Sequence, residues 1–417
     1  MASTLAWGES LEVLLDIGAP VFQFTLDDPT LGLLDGTGIL DGTSTVDVSQ
    51  WAQNVSINRG RNDELAQFQT GSCAIQLWNQ DRRFDPINTS SPYYSATLGA
   101  SALTPKRKVQ IKSKGISIFT GKIQDIDIGY DFNNSFVTIT ASDNFVELAS
   151  AVVQSAFTPP IESSGTRVTR ILDLPEVVSS ITRSIDTGTQ SLGAFPVDIG
   201  TTALGYIQAC AEAESGNFFI KGDGTLRFTQ RVAAAFPEGI VATFSDTGSD
   251  IPYTNLGITY GSELTYNKII VSINGGTPQI SNDATSQSAY GIITLDMTDT
   301  LLETDAQAAT LASTLLEKYK NPQYRFDDIS AMYNGLSAGN QTTLSTLELA
   351  DFVSITRNFP SGTPASVTQI VKVEQIRHSI TPTGHRIDLK FAQAQLVYRF
   401  TLDNATLSRL DALNALS

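Results

Sequence analysis

Segments early in the chain alternate apolar and polar residues, and this pattern constrains the fold more than any other feature. In residues 108–114, Val109 and Ile111 face one way while Gln110 and Lys112 face the other. A period of two residues is that of a β-strand with one buried face. The same alternation runs through residues 53–58, 73–79, 116–128 and 136–140. It predicts an antiparallel, half-buried sheet.

The pattern becomes mixed after this first β region. Asp143 is predicted to cap a short helix, and a threonine at 201 or 202 to begin a second helix that ends near residue 216. Residues 218–220 and 225–228 flank a Lys-Gly-Asp-Gly turn and predict a hairpin. A small α/β region is therefore expected here.

A second β region follows, and it contains the clearest helix signal of the sequence. Thr304 and Gln307 have the spacing of a capping box, and Pro322 ends the apolar stripe that begins there. Strands are predicted at residues 256–260, 268–273, 346–356, 370–378 and 385–391.

Composition narrows the class of protein. The chain has 417 residues, which predicts two to four domains, and 41% of them are hydrophobic, as in a folded globular protein. The formal net charge is −16. An acidic excess argues against tight binding of nucleic acid or of an anionic membrane, because both are bound through Lys and Arg.

The two cysteines and the beginning of the chain indicate a protein made in the cytoplasm. Cys73 and Cys210 are far apart and lack metal-type spacing, so buried free thiols are expected rather than a disulfide or a zinc site. No run of about 18 apolar residues predicts a membrane span. Glu9, Glu12 and Asp16 make the first residues unlike a signal peptide.

A twelve-residue repeat occurs near both ends of the sequence. FTLDDPTLGLLD at 24–35 and FTLDNATLSRLD at 400–411 agree at eight of twelve positions without a gap. Such an apolar and acidic peptide, lying outside any obvious domain, predicts docking into a groove on a neighbouring chain; packing on its own chain is the alternative. The predicted docking residues are Phe24, Leu26, Asp27, Leu31, Leu34 and Asp35 in the first copy, and Phe400, Leu402, Asp403, Leu407, Leu410 and Asp411 in the second.

Several motifs between the repeats resemble the hub and minor tail proteins at the distal end of long-tailed phages. The Arg-Gly-Arg and Phe-Asp-Pro blocks are the more specific ones. The resemblance is carried by SINRGRNDEL at 56–65, Gly71, LWNQDRRFDPIN at 77–88, SPY at 91–93, IFTGKI at 118–123, YN at 266–267, SQSAYG at 286–291 and VEQIRHSI at 373–380.

The resemblance implies a homotrimer at the virion tail tip, in which each copy contributes two tail-tube-like β domains to a pseudo-sixfold ring. Such a ring would join a hexameric tail tube to threefold tip proteins, and DNA would pass through it without specific binding. The expected fold is thus a β-rich, multidomain α+β protein with two tail-tube-like antiparallel β domains and a small α/β domain between them. The expected parts are an arm at 1–50, a β domain at 51–145, the mixed domain at 146–240, a second β domain at 241–395 and an arm at 396–417.

Acidic residues on one strand are candidates for the wall of that channel. An acidic wall would let a polyanion slide with little adhesion. The candidates are Asp125, Asp127 and Asp131; the alternative is that the excess acid covers the outside of the protein and favours solubility.

Charged and shape-determining motifs have structural interpretations as well. Arg59 and Arg61, close to Asp63 and Glu64, indicate a salt-bridged strand end or an interface rather than a nucleic-acid patch. Phe84-Asp85-Pro86 indicates a shaped loop. The basic cluster at 106–114 indicates a solvated strand face, with docking on an acidic neighbour as the second interpretation.

No catalytic, cofactor or metal motif was found, and the chain is predicted not to be an enzyme. There is no Walker-type loop, and the two histidines, His378 and His385, lack a HExxH or GxSxG context, so structural roles are expected. Two alternative functions remain open at this stage: a receptor- or carbohydrate-binding tail-tip module, and a hub with an embedded cell-wall hydrolase.

Overall fold

The computed structural model describes residues 11–18, 45–95, 99–130, 135–177, 180–231, 239–248, 250–394, 398–399 and 414–415. The predicted docking residues of both repeats, and Asp131, lie outside these ranges.

The described part of the chain is built mainly from β-strands. The strands before the mixed region are β1 (Leu11–Asp16), β2 (Thr45–Asp47), β3 (Ala52–Gly60), β4 (Gln69–Trp78), β5 (Tyr94–Ser95), β6 (Ala100–Ser101), β7 (Lys108–Ser113), β8 (Ile116–Tyr130) and β9 (Ser135–Ser142). Those of the mixed region are β10 (Glu162–Ser163), β11 (Arg183–Ile185), β12 (Ser191–Leu192), β13 (Asn217–Ile220) and β14 (Leu226–Thr229). The remaining strands are β15 (Ala242–Ser245), β16 (Asn255–Gly261), β17 (Lys268–Ile273), β18 (Gln279–Asn282), β19 (Thr294–Thr300), β20 (Gln323–Met332), β21 (Phe352–Asn358), β22 (Ser366–Thr381), β23 (Gly384–Gln393), β24 (Tyr398–Arg399) and β25 (Asn414–Ala415).

Helices are concentrated in the middle of the chain. They are α1 (Phe145–Ser150), α2 (Ser164–Leu172), α3 (Ala203–Glu214), α4 (Ala284–Tyr290), α5 (Asp305–Tyr319) and α6 (Ala338–Thr346), with 3-10 turns at Ser49–Trp51 and Tyr333–Gly335. None of the helices in the described ranges is long and apolar enough to cross a membrane.

One sheet of 13 strands connects the two β regions that the sequence predicts. Its main path is β16-β20-β23-β22-β3-β4-β9-β8-β7-β1-β2, and β21 and β15 branch from β22. All pairs in it are antiparallel except that of β15 with β21. The connection between the regions is the pairing of β22 with β3, from Gln375 opposite Gly60 to Ile380 opposite Val55. The β-rich α+β class is therefore confirmed.

Smaller sheets accompany the large one. β13 and β14 form the predicted hairpin, with β11 parallel to β14. β17 lies between β18 and a parallel β19. A parallel pair requires a crossover connection, and here α4 lies within it.

The buried apolar side chains form two clusters. One consists mainly of residues of the first β region, such as Val55, Ile75, Val109 and Val137. The other combines the mixed region with the second β region and contains the inner faces of α2, α3 and α5. β9 alternates buried and half-buried residues along its whole length, which is the alternation that the sequence predicts.

Local signals predicted most element ends well, with three exceptions. The capping box at Thr304 is confirmed, and Thr202 caps α3. The helix after Asp143 has Asn144 at its N-cap position instead, although the Asp143 carboxylate accepts a bond from Phe145 N at 3.0 Å. The strand predicted at 346–356 is wrong in its first half, because Ser337 caps α6 and β21 begins only at Phe352. β20, the second strand of the large sheet counted from its β16 edge, was not predicted, since it carries two adjacent aspartates at 327–328.

Gly60, the central residue of the Arg-Gly-Arg motif, lies where the two β regions meet. Its φ is +111°, and a Cβ at this position would lie 2.1 Å from the backbone oxygen of Glu374. The pairings of β3 with β4 and of β22 with β23 both shift register at this level. The motif therefore needs glycine for a close approach between two bulged strands.

Replacing Gly60 by alanine should destabilise the fold strongly, because the new methyl group collides with the backbone of β22. Gly115 is a matched control, since it also has a positive φ, +76°, but no atom lies within 4 Å of the added Cβ. We expect Gly115→Ala to cost about 1 kcal/mol of backbone strain, and Gly60→Ala to cost about 1–3 kcal/mol more. Urea unfolding measures the difference; equal costs would contradict the close approach.

Candidate functional site

The residues that flank Gly60 connect β3 to every other region of the described chain. Arg59 is buried and forms an ion pair with Glu348. Glu348 also accepts a hydrogen bond from Gly222 N at 2.7 Å, in the turn of the β13–β14 hairpin. Arg59 thus links the sheet to the mixed region and to the loop before β21. The prediction that these arginines form ion pairs at a strand end agrees with these contacts.

Arg61 lies at the centre of a buried ion-pair network. Its Nε donates to Glu374 Oε2 at 2.6 Å, its Nη1 donates to Ala66 O at 2.9 Å, and its guanidinium lies 4.4 Å from the ring centre of Phe68. Lys372 Nζ lies 3.0 Å from Glu374 Oε1. One carboxylate on β22 therefore neutralises two cations.

Burial and the neighbouring charges act against each other in this network. Burial raises the pKa of Glu374, but Arg61 and Lys372 outweigh it and hold that pKa below its usual value. Burial lowers the pKa of Lys372, while Glu374 opposes the shift. Because a buried charge without a partner is costly, each member depends on the others.

A second pair attaches the loop at 61–68 to α5. Lys318 Nζ donates to Glu64 Oε2 at 3.2 Å. Beside it, burial and the carboxylate of Glu64 raise the pKa of Tyr319. The loop that follows the Arg-Gly-Arg motif is thereby held against both β22 and α5.

A cavity of about 460 Å³ lies between this loop, the end of α3, α5, β19 and β22. We call it the junction groove. Leu295, Met297, Leu311 and Leu315 supply an apolar surface, and Arg61, Lys318 and Lys372 lie at its wall. Its volume falls within the range of ligand-binding pockets. The groove joins residues from all three regions of the chain.

Two buried polar atoms in the groove have no hydrogen-bond partner among the described residues. They are Nδ2 of Asn217, a residue that is only 2% exposed, and Oε1 of Gln393. One is a donor and the other an acceptor. Buried polar atoms are normally paired with protein groups or with ordered water.

The two histidines form a buried pair at the seam between the β regions. His378 Nδ1 and His385 Nε2 are 3.0 Å apart, and the Tyr333 ring lies 4.5 Å from the ring of His385. Tyr333 Oη in turn lies 2.8 Å from Ser113 Oγ, on β7. Burial lowers the pKa of His385 to about 4, and burial, His385 and Arg59 lower the pKa of His378 well below its usual value.

The acidic candidates on β8 lie on its exposed stretch. Asp125 and Asp127 are solvent-exposed and share a strand face, opposite Thr140 and Thr138 of β9.

The basic cluster at 106–114 is largely solvated: Lys106 Nζ contacts Gln124 Oε1 at 3.1 Å and Lys112 Nζ lies 3.9 Å from Glu12.

The described residues contain no arrangement suited to metal binding. No group of three or more His, Cys, Asp or Glu side chains among them could hold a metal ion. Cys73 and Cys210 are free and buried, and burial raises the pKa of Cys210 to about 12.

Asp85, of the Phe-Asp-Pro block, accepts bonds from Arg82 and Tyr130 at 2.7 and 2.5 Å and shapes its loop.

The fold is that of phage tail proteins. No sequence-family model matches the chain, and no curated protein matches it in sequence. Among solved structures, a tail protein from Neisseria meningitidis MC58 is similar over 84% of this chain and 94% of its own, with a TM-score of 0.56 and 11% identity. The 43 kDa tail protein of prophage MuSo2 from Shewanella oneidensis is similar over 92% of this chain and 99% of its own, with a TM-score of 0.55 and 14% identity.

A third similar structure is prophage tail protein gp18 from Listeria monocytogenes EGD-e. It covers 92% of this chain and 96% of its own, with a TM-score of 0.51 and 11% identity. The resemblance drawn from the sequence motifs is thus confirmed, and it extends over nearly the whole chain.

Breaking the buried network should be far more costly than breaking an exposed ion pair. Glu374→Gln leaves Arg61 and Lys372 without a counter-charge, and we expect a loss of about 3 kcal/mol in the free energy of unfolding. Glu317, 69% exposed and paired with Lys320, is the control, and Glu317→Gln should cost less than about 1 kcal/mol. Denaturant unfolding of both variants is the measurement; similar losses would refute the role of Glu374.

The histidine pair predicts a dependence of stability on pH. Both folded-state pKa values are depressed, so the unfolded chain binds more protons as the pH falls below about 6.5, and stability is lost towards pH 4. Buried Asp143, with its pKa raised to about 7, acts in the opposite direction. We therefore compare wild type with a His378→Gln/His385→Gln variant. Between pH 7 and pH 4 the free energy of unfolding of the wild type should fall by about 3 kcal/mol more than that of the variant, from the pKa shift of His385 alone. Parallel curves of stability against pH for the two proteins would contradict this.

Proposed function

We propose that this protein is a structural hub or minor tail protein at the distal end of a phage tail. In this role it joins the hexameric tail tube to threefold tip proteins and surrounds part of the DNA channel. The observation that carries the proposal is that the similarity to tail proteins covers 84–92% of this chain and 94–99% of theirs. We propose in addition that the chain has no enzymatic activity of its own.

The continuous sheet supports a hub in which one chain supplies two neighbouring sectors of a ring. We propose that residues 51–145 and 241–395 are tail-tube-like domains, with the mixed domain at 146–240 beside them. The pairing of β22 with β3 supports a fixed angle between the two, because it is reinforced by the buried pairs of Arg59 and Arg61. Three such chains have six β domains and match a hexameric tube.

The proposed channel wall includes Asp125 and Asp127. Their exposure on the stretch of β8 beyond its pairing with β7 supports a role at a surface, and the net charge of −16 favours an acidic one. An acidic wall suits passage of DNA, since it forms few phosphate contacts that must then break. The repeats at 24–35 and 400–411 are proposed to dock on neighbouring copies or on partner tail proteins.

The oligomeric state tests the proposal in solution. We expect mass photometry of the full-length chain, alone or with its tail partners, to show complexes with three copies of this chain. Three copies follow from the two proposed β domains in each chain and the sixfold tube. Complexes with six copies, or a monomer under all assembly conditions, would contradict the hub. A zymogram on host cell wall, expected to be blank, separates the hub from a hydrolase.

A further inference from the structure

We propose that the side chains of Lys372 and Asn217 react with each other to form an isopeptide bond, with Glu374 carrying the protons. The bond joins β22 of the large sheet to β13 of the mixed region. This covalent modification lies within one chain and is independent of the proposed hub function.

The three side chains meet where β22 contacts β13. Lys372 Nζ lies 3.5 Å from Oδ1 of Asn217 and 3.0 Å from Oε1 of Glu374. The amide carbon of Asn217 is one C=O bond, about 1.2 Å, from that oxygen. A small side-chain adjustment therefore brings the amine onto the carbon that it attacks, and the amine already contacts a carboxylate that can accept its proton.

The surroundings of Lys372 favour the neutral amine, which is the nucleophile. Its side chain is 12% exposed, and the side chains of Asn217 and Glu374 are buried. Burial lowers the pKa of Lys372, and Glu374 opposes that shift. The nearby cations Arg61 and Lys318 lower the pKa further. Desolvation beside other cations is a recognised way of activating a lysine.

The reaction removes two unfavourable features of the unlinked site. The buried cations Arg61 and Lys372 share the carboxylate of Glu374. Converting Lys372 to a neutral amide leaves one cation with one carboxylate. The Nδ2 atom of Asn217 is buried without a hydrogen-bond partner among the described residues, and it is the atom that leaves.

The atoms and charges of the reaction balance within these three groups. Glu374 takes a proton from the Lys372 ammonium, and the lone pair freed on Nζ forms a bond to Cγ of Asn217. The carboxyl passes that proton to Nδ2, and a second proton moves from Nζ to Nδ2 through the same carboxylate. The Cγ–Nδ2 bond breaks with its electron pair on nitrogen, and ammonium leaves. Glu374 ends as the carboxylate with which it began.

A second contact between a lysine and an asparagine is the matched control. Lys390 Nζ also lies 3.5 Å from an asparagine oxygen, Oδ1 of Asn62. Both of these residues are exposed. The same distance without burial should give no bond, because an exposed lysine remains an ammonium ion at neutral pH.

A tryptic digest of the full-length chain, read by mass spectrometry after denaturation, tests the inference directly. Trypsin does not cleave after a lysine whose amine has become an amide. Residues 184–221 and 358–377 should therefore appear as one branched peptide, lighter than the sum of the two by one molecule of ammonia. In the same digest the chain should be cleaved after Lys390, and the peptide that begins at Asn62 should be free.

Variants test the roles of the three groups. Lys372→Arg and Asn217→Ala should each abolish the branched peptide. Glu374→Gln keeps the shape of the side chain but cannot carry the protons, and it should slow linkage about a hundredfold or more in freshly synthesised chains sampled over time. Glu317→Gln should link as fast as the wild type, because Glu317 is exposed and pairs with Lys320.

Cleavage after Lys372 in the wild type, with both peptides free, would overturn the inference. Loss of ammonia without a branched peptide would also overturn it, since that result marks a succinimide at an asparagine. Equal rates of linkage in the wild type and in a folded Glu374→Gln chain would remove the role of Glu374. The wild-type digest needs no variant, so a variant that fails to fold leaves the test intact. None of these results changes the number of copies on which the hub depends.

Discussion

The ion pair between Arg61 and Glu374 is the interaction on which the rest of the structure depends. Glu374 lies on β22, which pairs with β3 from one β region and with β21 and β23 from the other. The pair is 2.6 Å long, and Glu374 is only 3% exposed. Because one buried carboxylate holds both Arg61 and Lys372, the two strands can bulge towards each other at Gly60 without leaving an uncompensated charge.

The junction groove follows from this arrangement. Arg61 leads into the loop at 61–68, and Lys318 holds that loop to α5 through Glu64. Arg59 connects the same strand end to the β13–β14 hairpin through Glu348. The groove thus lies where ion pairs join three regions beside the apolar cluster that they share.

Much of the fold could be predicted from the sequence, and the candidate site could not. Alternation predicted β7 and β9, and the capping box predicted the start of α5, because these signals are local. β20 was not predicted, because burial along it does not alternate and because it carries two adjacent aspartates. The partners of Arg61 were missed for a different reason. Lys372 and Glu374 alternate with apolar residues along β22, so the sequence predicts that they face solvent. Their burial comes from other segments of the chain that pack over that face of the strand.

A reconstruction of the assembled tail by cryo-electron microscopy tests the central claim most directly. We expect density for three copies of this chain at the distal end of the tube, each contributing two β sectors around the axis, with Asp125 and Asp127 facing the channel. A chain located on the outside of the tail, or a ring with six copies, would contradict the account.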